Sequence, residues 1–225
     1  MTFSLVARDR ATGAFGVAVT SSSPAVAARC AHVRSGVGVA ASQNVTNPAL
    51  GPRLLRLLAE GVDATQAMAA AVASEEHIRY RQLTVVDAQG RTAAFSGDGT
   101  LGTHRTVEGD GVVAAGNLLS DPGVVDAMLA GYEQAAGAAF EERLLAGLLA
   151  GRDAGGEEGP EHSAGLVVVH EVSWPVTDLR VDWADEDPMG ELEQLWKRWA
   201  EEKQDYLSRA LRPSEAPSYG VPGDL

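Results

Sequence analysis

The sequence of 225 residues has little cysteine, few aromatic residues and a shortage of positive charge. Cys30 is the single cysteine, which excludes an internal disulfide and a zinc site built from several cysteines. Phenylalanine, tryptophan and tyrosine contribute only four residues each, so the core must be built from alanine, valine and leucine. Eighteen basic residues against 31 acidic ones give a net charge of −13, which argues against nucleic acid or an anionic membrane as a partner.

Targeting signals and the common cofactor motifs are also missing. Residues 1–9 lack the basic and long apolar regions of a signal peptide, and no uncharged apolar run reaches about 18 residues. We therefore expect a cytoplasmic protein. Phosphate-binding glycine loops are absent, and the five histidines show no metal-binding spacing, so we expect no metal and no other cofactor.

The apolar pattern predicts strands that alternate with pairs of helices. The predicted strands cover residues 2–8, 14–20, 36–44, 81–86, 91–96, 111–118, 163–170 and 176–181. The predicted helices begin near residues 48, 63, 121, 138 and 187. This order lacks the strict βαβ alternation of a doubly wound sheet, so we predict an α+β fold of two mostly antiparallel sheets covered by helices.

The last predicted helix, residues 187–212, is amphipathic and follows a domain predicted to end at residue 186. Its apolar face comprises Leu192, Leu195, Trp196, Trp199, Tyr206 and Leu207. Two alternatives can cover this face: the core of the same chain, or a second subunit in a homodimer. Three prolines in residues 213–225 predict an extended tail over the surface.

Thr2 follows Met1 directly and opens a strand that the pattern predicts to be buried. Loss of Met1 would make Thr2 the N-terminal residue. A free N-terminal threonine combines a nucleophilic Oγ1 with an α-amine whose pKa of about 7.7–8.0 lets it act as a base near neutral pH. Many unrelated chains begin with Met-Thr, so the prediction depends on the context of this pair.

Short motifs occur in a fixed order along residues 2–195. They are TFSLVARD at 2–9, GVAVTS at 16–21, GVGVAASQ at 36–43, NP at 47–48, GP at 51–52, QLTVVD at 82–87, GNLL at 116–119, SAGLVV at 163–168 and DLRVD at 178–182, followed by Pro188. In this ordered set the chain resembles the DUF1028 family of the N-terminal-nucleophile (Ntn) hydrolase superfamily. The resemblance implies a four-layer αββα sandwich with Thr2 at the end of an inner strand.

The chain departs from the family pattern in one segment. Residues 155–162 are acidic, and His162 stands where the family usually carries glutamine. This departure bears on the substrate more than on the mechanism. We predict an amidohydrolase that cleaves a small amide or ureide through an acyl-enzyme on Thr2, and the alternative is a non-enzymatic binding or scaffold protein on the same fold.

Polar residues at the ends of the predicted inner strands are candidates for the rest of the site. Asn117 and Gln43 are the candidate donors to the oxyanion of a tetrahedral intermediate. The candidate substrate-binding residues are Ser21, Ser22, Asn44, Arg29 and Arg34. Arg29 or Arg34 near the N-terminus would also help to keep the α-amine neutral.

Each of these candidates also has a purely structural interpretation. Asn117 fits a turn before the helix at residue 121, and Gln43 and Asn44 fit a buried amide network. The two arginines fit solvated surface charges. Cys30 is expected to be a small buried side chain, with a reactive thiolate as the alternative if it contacts Arg29.

Overall fold

Ten strands form two antiparallel sheets in the computed structural model, which describes residues 1–221. The strands are β1 (Thr2–Arg8), β2 (Phe15–Ser21), β3 (Ala31–Arg34), β4 (Gly38–Asn44), β5 (Arg81–Asp87), β6 (Thr92–Ser96), β7 (Arg105–Gly109), β8 (Val112–Asn117), β9 (Ser163–Val169) and β10 (Thr177–Val181). One sheet has the order β10-β9-β2-β1-β8-β7 and the other the order β3-β4-β5-β6.

Six α-helices accompany the sheets within the described residues. They are α1 (Val26–Cys30), α2 (Leu50–Ala59), α3 (Ala64–Ser74), α4 (Gly123–Gln134), α5 (Phe140–Asp153) and α6 (Pro188–Leu211). The predicted α+β class with two antiparallel sheets is confirmed. No helix within residues 1–221 is both long enough and apolar enough to cross a bilayer.

Three short elements were not predicted: α1, β3 and β7. The first two contain only five and four residues, too few for a periodic pattern. The edge strand β7 has the sequence RTVEG, in which Val107 is the single large apolar residue. An edge strand that lies half in water needs little apolar sequence, so its pattern resembles that of a loop.

Successive side chains of a strand point to opposite faces of its sheet, and the apolar core of the described residues forms three clusters. Along β1, Phe3 and Leu5 point to α4 and α5, whereas Val6 points to the other sheet. The cluster between the two sheets is built largely from valines. The third cluster joins the four-stranded sheet to α2 and α3 and contains Leu54 and Leu83.

The start of α6 packs into the core of its own chain. Met189, Leu192 and Trp196 are buried in the same cluster as Phe3, and the Trp199 Nε1 donates a hydrogen bond of 3.1 Å to the Val176 carbonyl. Leu192, Trp196 and Trp199 of the apolar face are therefore covered within the chain, whereas Leu195 is exposed. Other members of that face, such as Tyr206 at 40% exposure, lie in solvent, and the homodimer stays a prediction.

The described part of the tail contacts α6. Pro213–Glu215 form a single 3-10 turn, and the Arg209 guanidinium then donates to the Pro217 and Ser218 carbonyls at 3.3 and 3.2 Å. The same guanidinium lies 4.0 Å from the centre of the Tyr219 ring. The extended tail over the surface stays a prediction, and residues 222–225 lie outside the described residues.

Deletion of residues 188–225 is expected to abolish cooperative folding, whereas deletion of residues 213–225 is expected to leave it intact. The longer deletion removes Leu192 and Trp196 from the core, and burial of each large apolar side chain contributes roughly 1.5–3 kcal/mol. Thermal unfolding followed by circular dichroism checks both variants. A longer deletion that still unfolds cooperatively near the wild-type temperature would contradict the packing described here.

Candidate functional site

The layer between the two sheets is apolar along most of its length and polar at one end. Valines of β1, β2, β4, β5, β8 and β9 fill its middle. At the end where β1 begins, buried polar side chains replace them. This polar cluster comprises Thr2, Ser4, Ser21, Gln43, Gln82, Asn117 and Ser163, each at most 5% exposed. Buried polar groups require hydrogen-bond partners, and the members of this cluster find them in two sets, one around Thr2 and Ser21 and one around Gln43 and Gln82.

Strand register brings the members of this cluster together. Thr2 pairs with Asn117 across β1 and β8, and the register of β1 with β2 places Ser21 beside Thr2. In the other sheet Gln43 pairs with Gln82. Paired residues share one face of a sheet, so all five side chains point into the layer between the sheets.

The hydroxyl of Thr2 lies next to that of Ser21. The two oxygen atoms are 3.2 Å apart, and both lie within hydrogen-bond distance of the Met1 carbonyl oxygen. While Met1 is present, the Thr2 nitrogen is part of a peptide bond and is no base. An α-amine beside the Thr2 hydroxyl therefore exists only in a chain that has lost Met1.

Hydrogen bonds connect Thr2 to Arg29 through two serines. The Ser23 Oγ lies 2.9 Å from the Ser21 Oγ, and the Arg29 Nη2 donates to the Ser23 Oγ at 2.8 Å. Arg29 also donates to the carbonyls of Pro24 and Ala25, which fixes the loop before α1. Arg29 thus acts on the Thr2 hydroxyl indirectly, through Ser23 and Ser21. The sequence analysis did not name Ser23, although it belongs to the run of serines at residues 21–23.

An amide network joins the two sheets behind Thr2. Ser4 donates to the Gln43 Oε1 at 2.7 Å, and the Gln43 Nε2 donates to the Gln82 Oε1 at 2.8 Å. The same Gln82 oxygen accepts from the Asn117 Nδ2 at 3.1 Å, while the Gln82 Nε2 donates to the Gly116 carbonyl at 2.9 Å. Among residues 1–221, one N–H of Gln43 and one of Asn117 have no partner and remain as donors.

A buried carboxyl group, Glu157, also reaches this end of the fold. Its Oε2 accepts a hydrogen bond of 3.2 Å from the Ser22 backbone N–H, and its buried Oε1 has no partner among the described residues. The pKa of Glu157 is raised to about 8, mainly by burial; the nearby N-terminal amino group lowers it, and the charge of Glu161 raises it. The acidic segment therefore brings a buried carboxyl group to this end of the fold. The sequence analysis did not predict that Glu157 would be buried there.

His162, in contrast, is held beside the site rather than in it. Its Nδ1 lies 2.8 Å from the Ala184 carbonyl oxygen, and its ring stacks on Trp183 at 4.3 Å. Only its backbone N–H contacts the cluster, by donating to the Ser21 carbonyl at 2.8 Å. The side chain is thus occupied by structural contacts.

The variant Glu157→Gln is expected to be less sensitive to rising pH than the wild type. Folding raises the pKa of Glu157 from 4.5 to about 8, so the folded chain binds this proton more tightly. That stabilisation is fully present below pH 4.5 and is lost as the pH rises through 8. After a discount for partial burial, the stability of wild type relative to the variant should fall by about 2 kcal/mol from pH 5 to 8.

Urea denaturation at several pH values measures this difference. Glu158→Gln is the matched control, because Glu158 is the adjacent residue and is exposed. The control should follow the wild-type profile. Parallel profiles for the wild type and Glu157→Gln would contradict the assigned burial of a proton on Glu157.

Comparison with known proteins agrees with the ordered motifs of the sequence. Residues 2–192 match the sequence model of DUF1028, described as a family of unknown function. The chain belongs to the DUF1028 family. A Silicibacter pomeroyi protein assigned to DUF1028 has a crystal structure with a TM-score of 0.82 and 32% identity, covering 88% of this chain and 89% of that one.

Two further comparisons add no functional assignment to this DUF1028 protein. Anbu, an ancestral beta-subunit from Yersinia bercovieri, gives a TM-score of 0.37 at 11% identity, covering 92% of this chain and 97% of that one. That likeness is too weak to carry an argument. No curated protein matches the chain.

Two of the predicted substrate-binding residues lie elsewhere in this DUF1028 protein. Arg34 is exposed and pairs with Gly38, five residues from Gln43 and therefore about 16 Å along β4. Asn44 has a φ of 74° and uses its side chain to hold two loops. Its Nδ2 donates to the Tyr80 carbonyl at 2.6 Å, and its Oδ1 accepts from the Leu101 N–H at 3.2 Å.

The remaining candidates are the thiol of Cys30 and the residue types that bind metal ions. Cys30 is 1% exposed, and burial raises the pKa of its thiol, which opposes a reactive thiolate. Within residues 1–221, no group of three or more His, Cys, Asp or Glu residues is placed to hold a metal ion.

Proposed function

We propose that this DUF1028 protein is an Ntn-type amide hydrolase that cleaves a small amide or ureide through an acyl-enzyme on Thr2. The position of Thr2 carries the proposal: its hydroxyl is buried at the start of a central strand, 3.2 Å from the Ser21 hydroxyl. The proposal includes the four-layer αββα arrangement of Ntn hydrolases. The three apolar clusters, which separate helices from sheet, sheet from sheet and sheet from helices, support it.

In the proposed reaction, the free α-amine of Thr2 takes the proton of the Thr2 hydroxyl while Oγ1 forms a bond to the substrate carbonyl carbon. The tetrahedral intermediate then collapses. The proton moves from the amine to the leaving nitrogen, the C–N bond breaks, and an ester remains on Oγ1. Water, deprotonated by the same amine, cleaves this ester and restores the hydroxyl.

In this proposal two side-chain amides stabilise the oxyanion of that intermediate. Gln43 and Asn117 each keep one unused N–H, and both amides are held by Gln82. Loss of one such donor typically reduces the rate about 10²–10³-fold. Their fixed positions matter because a donor that is already oriented needs no rearrangement as the charge develops.

Arg29 favours a neutral α-amine at Thr2, and Glu157 opposes this only when it is ionised. Arg29 contributes a positive charge near the amine, through the chain of hydroxyls at Ser23 and Ser21. A nearby positive charge disfavours the ammonium form. Glu157 has a pKa of about 8, so near neutral pH it is largely protonated and does not stabilise the ammonium form.

Cells with methionine aminopeptidase are expected to yield a chain that begins with Thr2. Threonine has a small side chain that such enzymes accept, and the proposed base exists only after Met1 is removed. N-terminal sequencing of the purified protein checks this. Thr2→Leu is the matched control, because a bulky second residue should leave Met1 in place. A wild-type chain that uniformly retains Met1 and still reacts with amide-type electrophiles would contradict the proposed mechanism.

A further inference from the structure

A cavity of about 500 Å³ lies at the opposite end of β1 from Thr2. It is enclosed by the turn between β1 and β2, the first residues of α5 and one residue of α6. Its apolar wall comprises Tyr132, Phe140, Val168 and Val176. The six-residue separation of Thr2 and Arg8 along β1 corresponds to roughly 20 Å, so the proposed reaction does not use this cavity.

The charges that line the cavity leave one cation in excess. Each lining carboxylate has its own partner: Asp9 pairs with Arg143 at 3.1 Å, Glu141 with Lys203 at 2.7 Å, and Asp110 with Arg10. Arg8 remains; the residue is half-buried, and among residues 1–221 no hydrogen bond or ion pair engages its side chain. A guanidinium presents two parallel N–H groups that match the geometry of a carboxylate.

The other titratable side chains of the wall do not cancel this charge. Tyr132 is a neutral phenol near neutral pH, because burial raises its pKa to about 12. His170 uses its Nε2 to contact the Thr12 carbonyl at 2.9 Å. The positive end of the α5 dipole also lies at this wall, where Phe140 begins the helix.

Two of the lining residues, Arg143 and Tyr132, stack on each other. The Arg143 guanidinium lies 4.3 Å from the centre of the Tyr132 ring, and its ion pair with Asp9 fixes its other side. Asp9 in turn accepts from the hydroxyl and backbone N–H of Thr12, which closes the β1–β2 turn. An apolar surface that is fixed before binding loses little conformational entropy when a ligand packs on it.

We propose that this cavity is a binding site for a small organic monocarboxylate with a compact apolar body. The carboxylate pairs with the Arg8 guanidinium, and the apolar body packs on Tyr132 and Phe140. One excess positive charge matches one carboxylate. Inorganic phosphate carries more charge and no apolar body, so it fits the cavity less well.

Isothermal titration of the full-length protein with benzoate, benzamide and inorganic phosphate tests the proposal. Benzoate is expected to bind saturably and to bind at least tenfold more tightly than either other probe. Arg8→Gln should weaken benzoate binding at least tenfold. Arg56→Gln makes the same charge change at an exposed position of α2 and should alter it less than twofold. Thr2→Ala should also leave it unchanged, which separates this site from the proposed reaction centre.

Three results would overturn the assignment. They are the absence of saturable benzoate binding, an equal loss in the Arg8 and Arg56 variants, and phosphate binding as tight as that of benzoate. If Arg8→Gln does not fold, Arg8→Lys replaces it, because lysine keeps the charge but loses the paired N–H groups. That variant should bind benzoate at least threefold more weakly than the wild type, and unchanged binding would again refute the role of Arg8.

Discussion

Thr2→Ala is expected to reduce the rate of acylation by a β-lactone by about 10³-fold or more, the scale seen when a catalytic nucleophile is removed. The strained ring acylates a hydroxyl directly, so the reaction reports on the nucleophile without knowledge of the natural substrate. The variant is well matched to the wild type. Alanine is also small enough for Met1 removal, so the α-amine survives and only Oγ1 and one methyl group are lost.

Thr2→Ser should keep measurable reactivity, because its side chain retains the oxygen nucleophile. Thr65→Ala is the control for the replacement of a threonine, because Thr65 is exposed on α3 and is not part of the polar cluster. Intact-mass spectrometry over time gives the rate for all four proteins. Equal rates for the wild type and Thr2→Ala would exclude Thr2 as the nucleophile and favour a binding protein on this fold.

Gln82→Ala is expected to lower the free energy of unfolding by about 3 kcal/mol. Gln82 is 0% exposed, accepts from Gln43 and Asn117, and donates to the Gly116 carbonyl and the Ser96 hydroxyl. Alanine leaves the polar groups of Gln43, Asn117 and Gly116 buried without this partner, and each such group costs about 1–3 kcal/mol. The expected value is near the lower end of the sum because neighbouring groups relax into the space.

The acylation rate of Gln82→Ala should fall as well, because Gln82 holds both proposed oxyanion donors. Urea denaturation measures the stability, with Gln66→Ala as the control. Gln66 is exposed on α3, so its replacement should change the stability by less than about 0.5 kcal/mol. A loss below 1 kcal/mol for Gln82→Ala would contradict the central place of Gln82 in the network.

Strand patterns predicted much of the fold because the long strands are nearly continuous apolar runs bounded by turn residues. The polar residues at the ends of these runs include Thr2, Ser21, Gln43 and Asn117. Their common location follows from register, which the structure supplies through the pairing of Thr2 with Asn117. A sequence gives the position of a residue along its strand, but only pairing fixes which strand ends meet.

The missed and corrected residues illustrate this limit. Gln82 is the second residue of β5, and nothing local distinguishes it from an ordinary residue near a strand start. Glu157 lies in a segment of loop composition, and its burial depends on the isolated bridge between Leu119 and Glu157. Arg34 was placed near the site because it lies between two predicted strands. Antiparallel pairing with Gly38 puts it at the far end of β4 instead.

Peptide mapping of the wild-type chain after reaction with the β-lactone tests the central claim most directly. The proposal predicts an N-terminal peptide that begins with Thr2 and carries a single acyl group on Oγ1, as an ester that hydroxylamine removes. An acyl group at any other residue, or reaction of a chain that still carries Met1, would contradict it.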